Sequence, residues 1–407
     1  MKLSEELQWR GFVNQMTFDD ISKVDTPRKF YFGVDPSADS MQIGNLAAAM
    51  MVRLFMEYGH EAYLLVGGAT GMIGDPDGRK DEREIRNADT VAHNVECISA
   101  QYRRVFEGRD FHLVNNADWF RNINYIDFLY KVGKYMSMTQ LLDREFVQAR
   151  IGEGGSGISY AEFSYSLMQG YDFLHLFREY GVTLQVCGAD QWGNSTTGVS
   201  LIRKLEGSEA HVYSVPLVIN KATGRKFGKS EGGAIWLDEN KTSVYKFYQF
   251  WLNVDDDGVI DYMKMYTTLD RESIEAIAEN HAVNPGVRSA QKILAREVTD
   301  IVHGVNRRES VERVTEVLFG GGDFRQLSDD DLDALAKEIP RVDVGVGVIE
   351  ALVVSGAVSS NGEAKRLLKS GAISLNGEKL TEDQAVNTTS LLKKGKNTFV
   401  LIMEGEE

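Results

Sequence analysis

Residues 33–45 read Gly-Val-Asp-Pro-Ser-Ala-Asp-Ser-Met-Gln-Ile-Gly-Asn. An apolar run ends at Gly33, turns through Asp35 and Pro36, and opens a helix near Gln42. A helix that starts from such a corner offers free backbone N–H groups and the positive end of its dipole, which together make a phosphate site. Ser37 adds a hydroxyl donor, and Gly44 leaves room for a nucleotide to lie against the helix. A plain strand-to-helix turn capped by Ser40 satisfies the same pattern. A second stretch, "TGRKFGKSEGG" (223–233), places Lys226 and Lys229 three residues apart beside Ser230. Two cations and a hydroxyl on a Gly-rich loop suit the charge that develops on a departing pyrophosphate. The glycine spacing is not that of a Walker loop, and a basic exposed turn is the structural alternative.

Three further stretches carry polar groups in ordered positions. In "GGATGMIGDPDGRKDER" (67–83), Asp75 follows a strand and a turn, where a carboxylate can meet an amine. Arg79, Lys80 and Arg83 follow in a charged loop, and a solvated surface loop explains Lys80, Asp81 and Glu82 equally well. In "AEFSYSLMQGYDF" (161–173), Tyr165, Gln169 and Asp172 are spaced i, i+4, i+7 and share one helix face. From Tyr165 to Asp172 is about 10 Å of helix axis. That matches a ligand the length of an amino acid with a polar group at each end, or else an internal hydrogen-bond network, because polar groups on a core-facing stripe need partners. In "CGADQWGN" (187–194), a strand ends at Gly188 and Asp190 stands near the start of the next helix. An acid there suits a ribose diol or serves as an N-cap.

These groups need a frame. The chain has 407 residues, enough for two or three domains, with 43% hydrophobic and 26% charged residues. It shows no 18-residue apolar run and no apolar leader, so neither a membrane span nor a secretory signal is expected. Its two cysteines, Cys97 and Cys187, have no paired spacing, which excludes a disulfide framework or a Cys-rich zinc site and suits a reducing cytosol. A net charge of −15 argues against wholesale nucleic-acid binding but leaves local basic patches possible. Short apolar runs at 29–34, 62–68, 111–116, 181–188 and 211–219 alternate with helical stretches at 44–59, 89–107, 137–150, 160–180 and 190–205. This alternation predicts a Rossmann-like, doubly wound α/β domain with a mostly parallel sheet over residues 1–235. Residues 236–335 carry only helical periodicity, with a Gly- and Asp-rich stretch at 319–331 that reads as a loop or linker. Residues 342–407 return to short helices and strands, a small α+β module.

Taken together, "DPSADS", "VGGATGMIGDP", "EFSYSLMQGYDF", "GADQWGN", "KFGKSEGG" and "SVYKFYQFW" resemble, in order and over essentially the whole chain, the bacterial tyrosyl-tRNA synthetases of class I. The tail, with "EAKRLLKSGAISLNG" at its centre, resembles the αL-type RNA-binding module that ends those enzymes. The resemblance implies a ligase that activates L-tyrosine with ATP and transfers it to the 3′ end of tRNA(Tyr). It implies a homodimer in the cytoplasm, Mg²⁺ arriving with ATP, and no protein-held metal or organic cofactor. It assigns Tyr31 and Asp172 to the phenol hydroxyl, Asp75, Tyr165 and Gln169 to the ammonium, and Gln191 to the carboxylate. Asp190 and Gly188 face the ribose. Gly33, Asp35, Gly44 and Asn45 line the nucleotide. Ser37, Gln42, Arg79, Arg83, Lys226, Lys229 and Ser230 surround the phosphates.

The chain departs from the family pattern in places. The His-Ile-Gly-His signature reads Gln42-Ile43-Gly44-Asn45, Phe32 stands where many members carry Cys, and Ala48 replaces a frequent Thr. The rival reading is a catalytically weakened paralogue that acts as an RNA-binding protein. The helical part is expected on the anticodon side of the tRNA, and Lys365, Arg366 and Lys369, at helical spacing, are the expected RNA contacts of the tail. Segment 128–142 is the expected dimer interface, with burial inside the monomer as the alternative.

Overall fold

The computed structural model describes residues 1–76, 86–142, 144–221, 223–230 and 233–404, the side chains of residues 140, 145, 146, 229 and 230 apart. Its contacts group the chain into two compact units. One comprises residues 1–242 and 250–302, the other 243–249 and 303–407.

The first unit is built on a sheet of strands β1 (Gln15–Met16), β2 (Lys29–Val34), β3 (Glu61–Val66), β4 (Phe111–Asn115), β5 (Leu184–Gly188) and β6 (His211–Val215), in the order β1-β6-β5-β2-β3-β4. Strands β2 to β6 run parallel, and β1 joins the edge antiparallel to β6. The apolar run at 211–219 leaves the sheet at Val215, because Pro216 has no N–H to donate to a ladder, and Ile219 instead bridges Lys226. Helices α1 (Ile43–Glu57), α2 (Ala88–Val105), α3 (Tyr160–Tyr180) and α4 (Trp192–Glu206) follow β2, β3, β4 and β5 respectively. Ser159 caps α3 by accepting from the Glu162 N–H, and Gly181, in the left-handed region at φ 72°, ends it.

The expected helix at 137–150 is two helices, Met138–Leu142 and Glu145–Ile151. The break lies where Arg144 takes an extended backbone and turns its side chain between α3 and α4. The proposed cap at Ser40 is also corrected: Gln42 is the N-cap of α1. The Ser40 hydroxyl instead donates to the Met41 carbonyl and accepts from Gln101 Nε2 and the Asp238 N–H. Asp190 is not an N-cap either. It sits in a 3₁₀ turn, Ala189–Gln191, and Gln191 caps α4.

In the second unit, helices Val305–Thr315 and Asp329–Ala336 precede a five-stranded sheet and the helices Val348–Val354 and Asn361–Lys369. The expected helical segment 236–335 is thus divided, residues 236–242 and 250–302 falling in the first unit and 243–249 and 303–335 in the second. The cause is apolar burial. Val314, Leu318, Phe324 and Leu335 share one core with Leu391, Phe399 and Leu401 of the sheet. The stretch 319–331 is therefore no free linker, and Asp331 within it accepts a two-pronged bond from Arg313. Among the described residues no helix is long and apolar enough to cross a membrane.

Candidate active site

A cavity of about 460 Å³ opens where β2 and β5 diverge. In an open parallel sheet this is the point at which strand order reverses and ligands bind. Tyr31, Gly33 and Asp35 line it from the end of β2, Gly188 from the end of β5, and Asp190 and Gln191 from the turn that follows. Tyr165, Gln169 and Asp172 line it from a single face of α3. Ser37, Gln42, Gly44 and Asn45 line it from the corner that opens α1. A Cβ built on Gly44 meets nothing within 4 Å, so the space above the helix start is open. The Gln42 N–H donates to Asn45 Oδ1 at 3.0 Å, which ties up the Asn45 carbonyl and leaves its amide nitrogen as a donor.

The inner end is a buried polar network. Asp172 is 2% exposed and accepts from Trp119 Nε1 at 2.8 Å and from Asn116 Nδ2 at 3.1 Å. Burial pushes its carboxyl up to about 8, against these two donors, which favour the anion. Asn116 also donates to Thr70 Oγ1 at 2.9 Å and accepts from the Ala69 N–H at 2.7 Å. Thr70 passes its own hydrogen to Asp35 Oδ1 at 2.7 Å, and Tyr165 Oη donates to Asp35 Oδ2 at 2.9 Å. The approach of Asp35 and Thr70 requires glycine at 67, where a Cβ would stand 2.3 Å from both side chains. The Tyr31 hydroxyl differs from all of these. Its residue is 1% exposed, yet Oη has no hydrogen-bond partner among the described residues. Burial and the neighbouring Asp172 both raise its pKa.

Asp75 stands at a second polar corner. Gln191 Nε2 donates to its Oδ2 at 2.5 Å and Asn194 Nδ2 to its Oδ1 at 3.4 Å. Asp190 is exposed at the rim. The surrounding protein raises its carboxyl pKa, and Lys226 opposes that shift.

The lysine loop is anchored by its aromatic residue. Phe227 is buried, stacks on Tyr262 at 4.2 Å, and donates its N–H to the Val218 carbonyl. Gly228, at φ 90°, lets the loop run against α1, where a Cβ would lie 3.3 Å from Ile43. Lys226 thereby reaches the cavity wall. The backbone of Lys229–Ser230 pairs with Gly233–Ala234. The side chains of Lys229 and Ser230, and the whole of Arg79 and Arg83, lie outside the described residues. Among the described residues, no group of three or more His, Cys, Asp or Glu side chains could hold a metal ion. Lys365, Arg366 and Lys369 lie in the other unit and are exposed on the helix Asn361–Lys369.

Sequence reasoning passed over Thr70, Asn116, Trp119 and Asn194. Asn116 left a signal, since it closes the apolar run 111–116 at a strand end, the same position that marks Asp35 and Asp190. Segment 128–142 divides. Val132 and Leu141 belong to an internal core with Leu167 and Leu201, whereas Tyr130 and Met138 are 67% and 57% exposed.

The model of the family "tRNA synthetases class I (W and Y)" matches residues 23–320, and that of the "Tyrosine--tRNA ligase SYY-like C-terminal domain" matches residues 331–406. The chain is 42% identical over 425 residues to tyrosine–tRNA ligase 2 of Bacillus cereus, covering 100% of each chain. It is also 42% identical over 412 residues to the tyrosine–tRNA ligase of Latilactobacillus sakei, covering 99% of this chain and 97% of that one. Among solved structures, a C-terminally truncated mitochondrial tyrosyl-tRNA synthetase of Aspergillus nidulans aligns with a TM-score of 0.70 at 29% identity, over 78% of this chain and 94% of that one.

Proposed function

Because the chain belongs to the tyrosyl-tRNA synthetases of class I, and so activates tyrosine with ATP and charges tRNA, we propose the following division of labour in its cavity. The phenol hydroxyl of tyrosine lies between Tyr31 and Asp172. The observation that carries this is the orphaned Tyr31 hydroxyl, buried next to a carboxyl and lining the cavity. A buried donor without a partner is costly, and a phenol supplies what it lacks. Tyr31 donates to the phenol oxygen, and the phenol donates to Asp172. Asp75, Tyr165 and Gln169 receive the ammonium, and Gln191 lies near the carboxylate.

The nucleotide lies along the corner. Gly33, Asp35, Gly44 and Asn45 line it, and Gly188 and Asp190 meet the ribose. The tyrosine carboxylate attacks the α-phosphate and pyrophosphate departs toward Ser37, Gln42, Arg79, Arg83, Lys226, Lys229 and Ser230. No covalent enzyme intermediate is needed, and rate comes from positioning and from charge stabilisation on the leaving group. Mg²⁺ enters with ATP as part of the substrate. The ribose hydroxyl at the 3′ end of tRNA(Tyr) then attacks the carbonyl of the tyrosyl-adenylate and takes the tyrosyl group, and AMP departs. Residues 342–407, through Lys365, Arg366 and Lys369, bind RNA, and residues 236–335 serve the anticodon side. Exposed Tyr130 and Met138 in segment 128–142 support a homodimer interface, and the two unpaired cysteines support the cytoplasm.

Pyrophosphate exchange with tyrosine and with phenylalanine, in wild type and Tyr31→Phe, tests the pocket. A site that hydrogen-bonds a hydroxyl rejects the analogue lacking it, and tyrosyl-tRNA synthetases are the standing example. The wild type should prefer tyrosine, and Tyr31→Phe should erode that preference by roughly 5- to 100-fold. Equal exchange with either amino acid in the wild type overturns the assignment.

A further inference from the structure

A guanidinium lies behind the cavity wall. Arg144 Nη1 donates to Ser166 Oγ and, at 2.9 Å, to Asn194 Oδ1. Its Nη2 donates to the Gly193 carbonyl at 2.8 Å and to Thr197 Oγ1 at 2.6 Å. Ser166, Asn194 and Thr197 are all buried. Arg144 itself does not line the cavity.

Arginine donates and never accepts. It therefore dictates the orientation of a neighbour that could otherwise flip. Asn194 must turn its carbonyl oxygen toward Arg144. Ser166, having accepted one N–H, gives its own hydrogen to that same oxygen at 2.7 Å. The Asn194 amide nitrogen then points the other way, toward Asp75 Oδ1 and Gln191 Oε1, each at 3.4 Å. With the Gln191 oxygen turned to Asn194, the Gln191 nitrogen is the end that meets Asp75 Oδ2. The donors on both Asp75 oxygens thus take their direction from one side chain. Without it, a flipped Asn194 would set an oxygen against the carboxylate and turn it.

We propose that Arg144 is a positioning residue for the ammonium group of the amino-acid substrate, acting through the Asn194 amide to hold the Asp75 carboxylate in its receiving orientation. This rests on the reading above that Asp75 takes the ammonium.

The test uses the purified full chain as wild type, Arg144→Met, Arg144→Lys and Asp75→Asn. Calorimetric titration compares tyrosine with 3-(4-hydroxyphenyl)propanoate, which keeps the phenol and carboxylate and lacks the ammonium. Arg144→Met should weaken tyrosine about tenfold and raise the KM for tyrosine alike. It should leave the KM for ATP and the binding of the propanoate unchanged. Arg144→Lys, with charge but no fork, should fall between. If both ligands weaken together, Arg144 only braces the helices and the proposal fails. It fails also if tyrosine binding is unchanged while Asp75→Asn loses it. If Asp75→Asn binds tyrosine as wild type does, the ammonium assignment itself is what fails. Should Arg144→Met not fold, the same selective loss is read on Arg144→Lys and on Asn194→Asp, which replaces the inward donor by an acceptor.

Discussion

Asp172 shows how burial ties a carboxyl to pH. Its carboxyl is raised from 3.8 to about 8 by desolvation. A carboxyl that titrates higher in the folded chain than in the unfolded one contributes stability that is complete below about pH 4 and is lost as pH rises toward 8. His60 works oppositely. Burial lowers it to about 4, so its contribution is present above pH 6.5 and fades as pH falls toward 4. Asp172→Asn keeps His60 and removes only the first effect. The empty wild type should therefore lose stability relative to Asp172→Asn between pH 5 and 8 in denaturant titrations, and parallel curves would refute the titration. On the proposed donation of the substrate phenol to this carboxylate, tyrosine should bind more tightly from pH 6 to 8 with proton release, read in buffers of different ionisation enthalpy.

Gln42 is the second case. It lines the cavity as the N-cap of α1, at the end proposed to take the phosphates. An amide offers a donor but no positive charge, and charge-assisted bonds are about twice as strong. Losing a donor of this kind outright costs about 3 kcal/mol of barrier. Gln42→Ala should slow adenylate formation by no more than that in stopped-flow measurements while tyrosine affinity holds, and Gln42→His should match or exceed wild type. If Gln42→Ala keeps the wild-type rate, Gln42 merely starts the helix.

Among the elements, the α3–α4 contact decides how accurately the pocket is built. Gly170 faces Thr197 and Gly198 faces Phe173, and a Cβ at either glycine would stand 2.7 Å from its neighbour. The two helices carry Tyr165, Asp172 and Asn194, so the missing Cβ atoms set the width of the site. Gly198→Ala must push Phe173, the neighbour of Asp172, out of a core where it is fully buried. Overpacking of this kind costs roughly 1–3 kcal/mol. A matching fall in the denaturation midpoint, together with a raised KM for tyrosine, is expected; an unchanged midpoint would mean the helices separate freely.

For the molecule as a whole, the second unit carries its own charge pattern. Lys393 and Lys394 are turned to the carbonyls of Leu318 and Ala357. Lys365, Arg366 and Lys369 remain exposed on one short helix capped by Ser360. Replacing all three by Ala should leave pyrophosphate exchange intact, weaken tRNA charging, and flatten its dependence on salt, since each lost phosphate contact removes about one unit of slope. Collapse of exchange with charging would show that the module supports the catalytic cavity itself.

The local order of this protein was readable from the chain. Periodicity located β2 at residues 29–34 and α3 at 160–180, because burying one face imposes a spacing that a sequence must keep. The motif residues on those elements, from Gly33 to Asp172, came with them. Two things were decided only by the tertiary structure. One is the inner polar network. Asn116 meets Asp172 only because the sheet sets β4 beside β3 and β3 beside β2, and Arg144 reaches Asn194 only because a helix breaks. Hydrogen bonds between residues fifty positions apart leave no periodic trace. The other is the division into units. Leu318, Phe324 and Leu335 read as parts of a helical stretch and a linker. What assigns them to the final sheet is the apolar surface of Leu391, Phe399 and Leu401, a partner chosen by burial and not by distance along the chain.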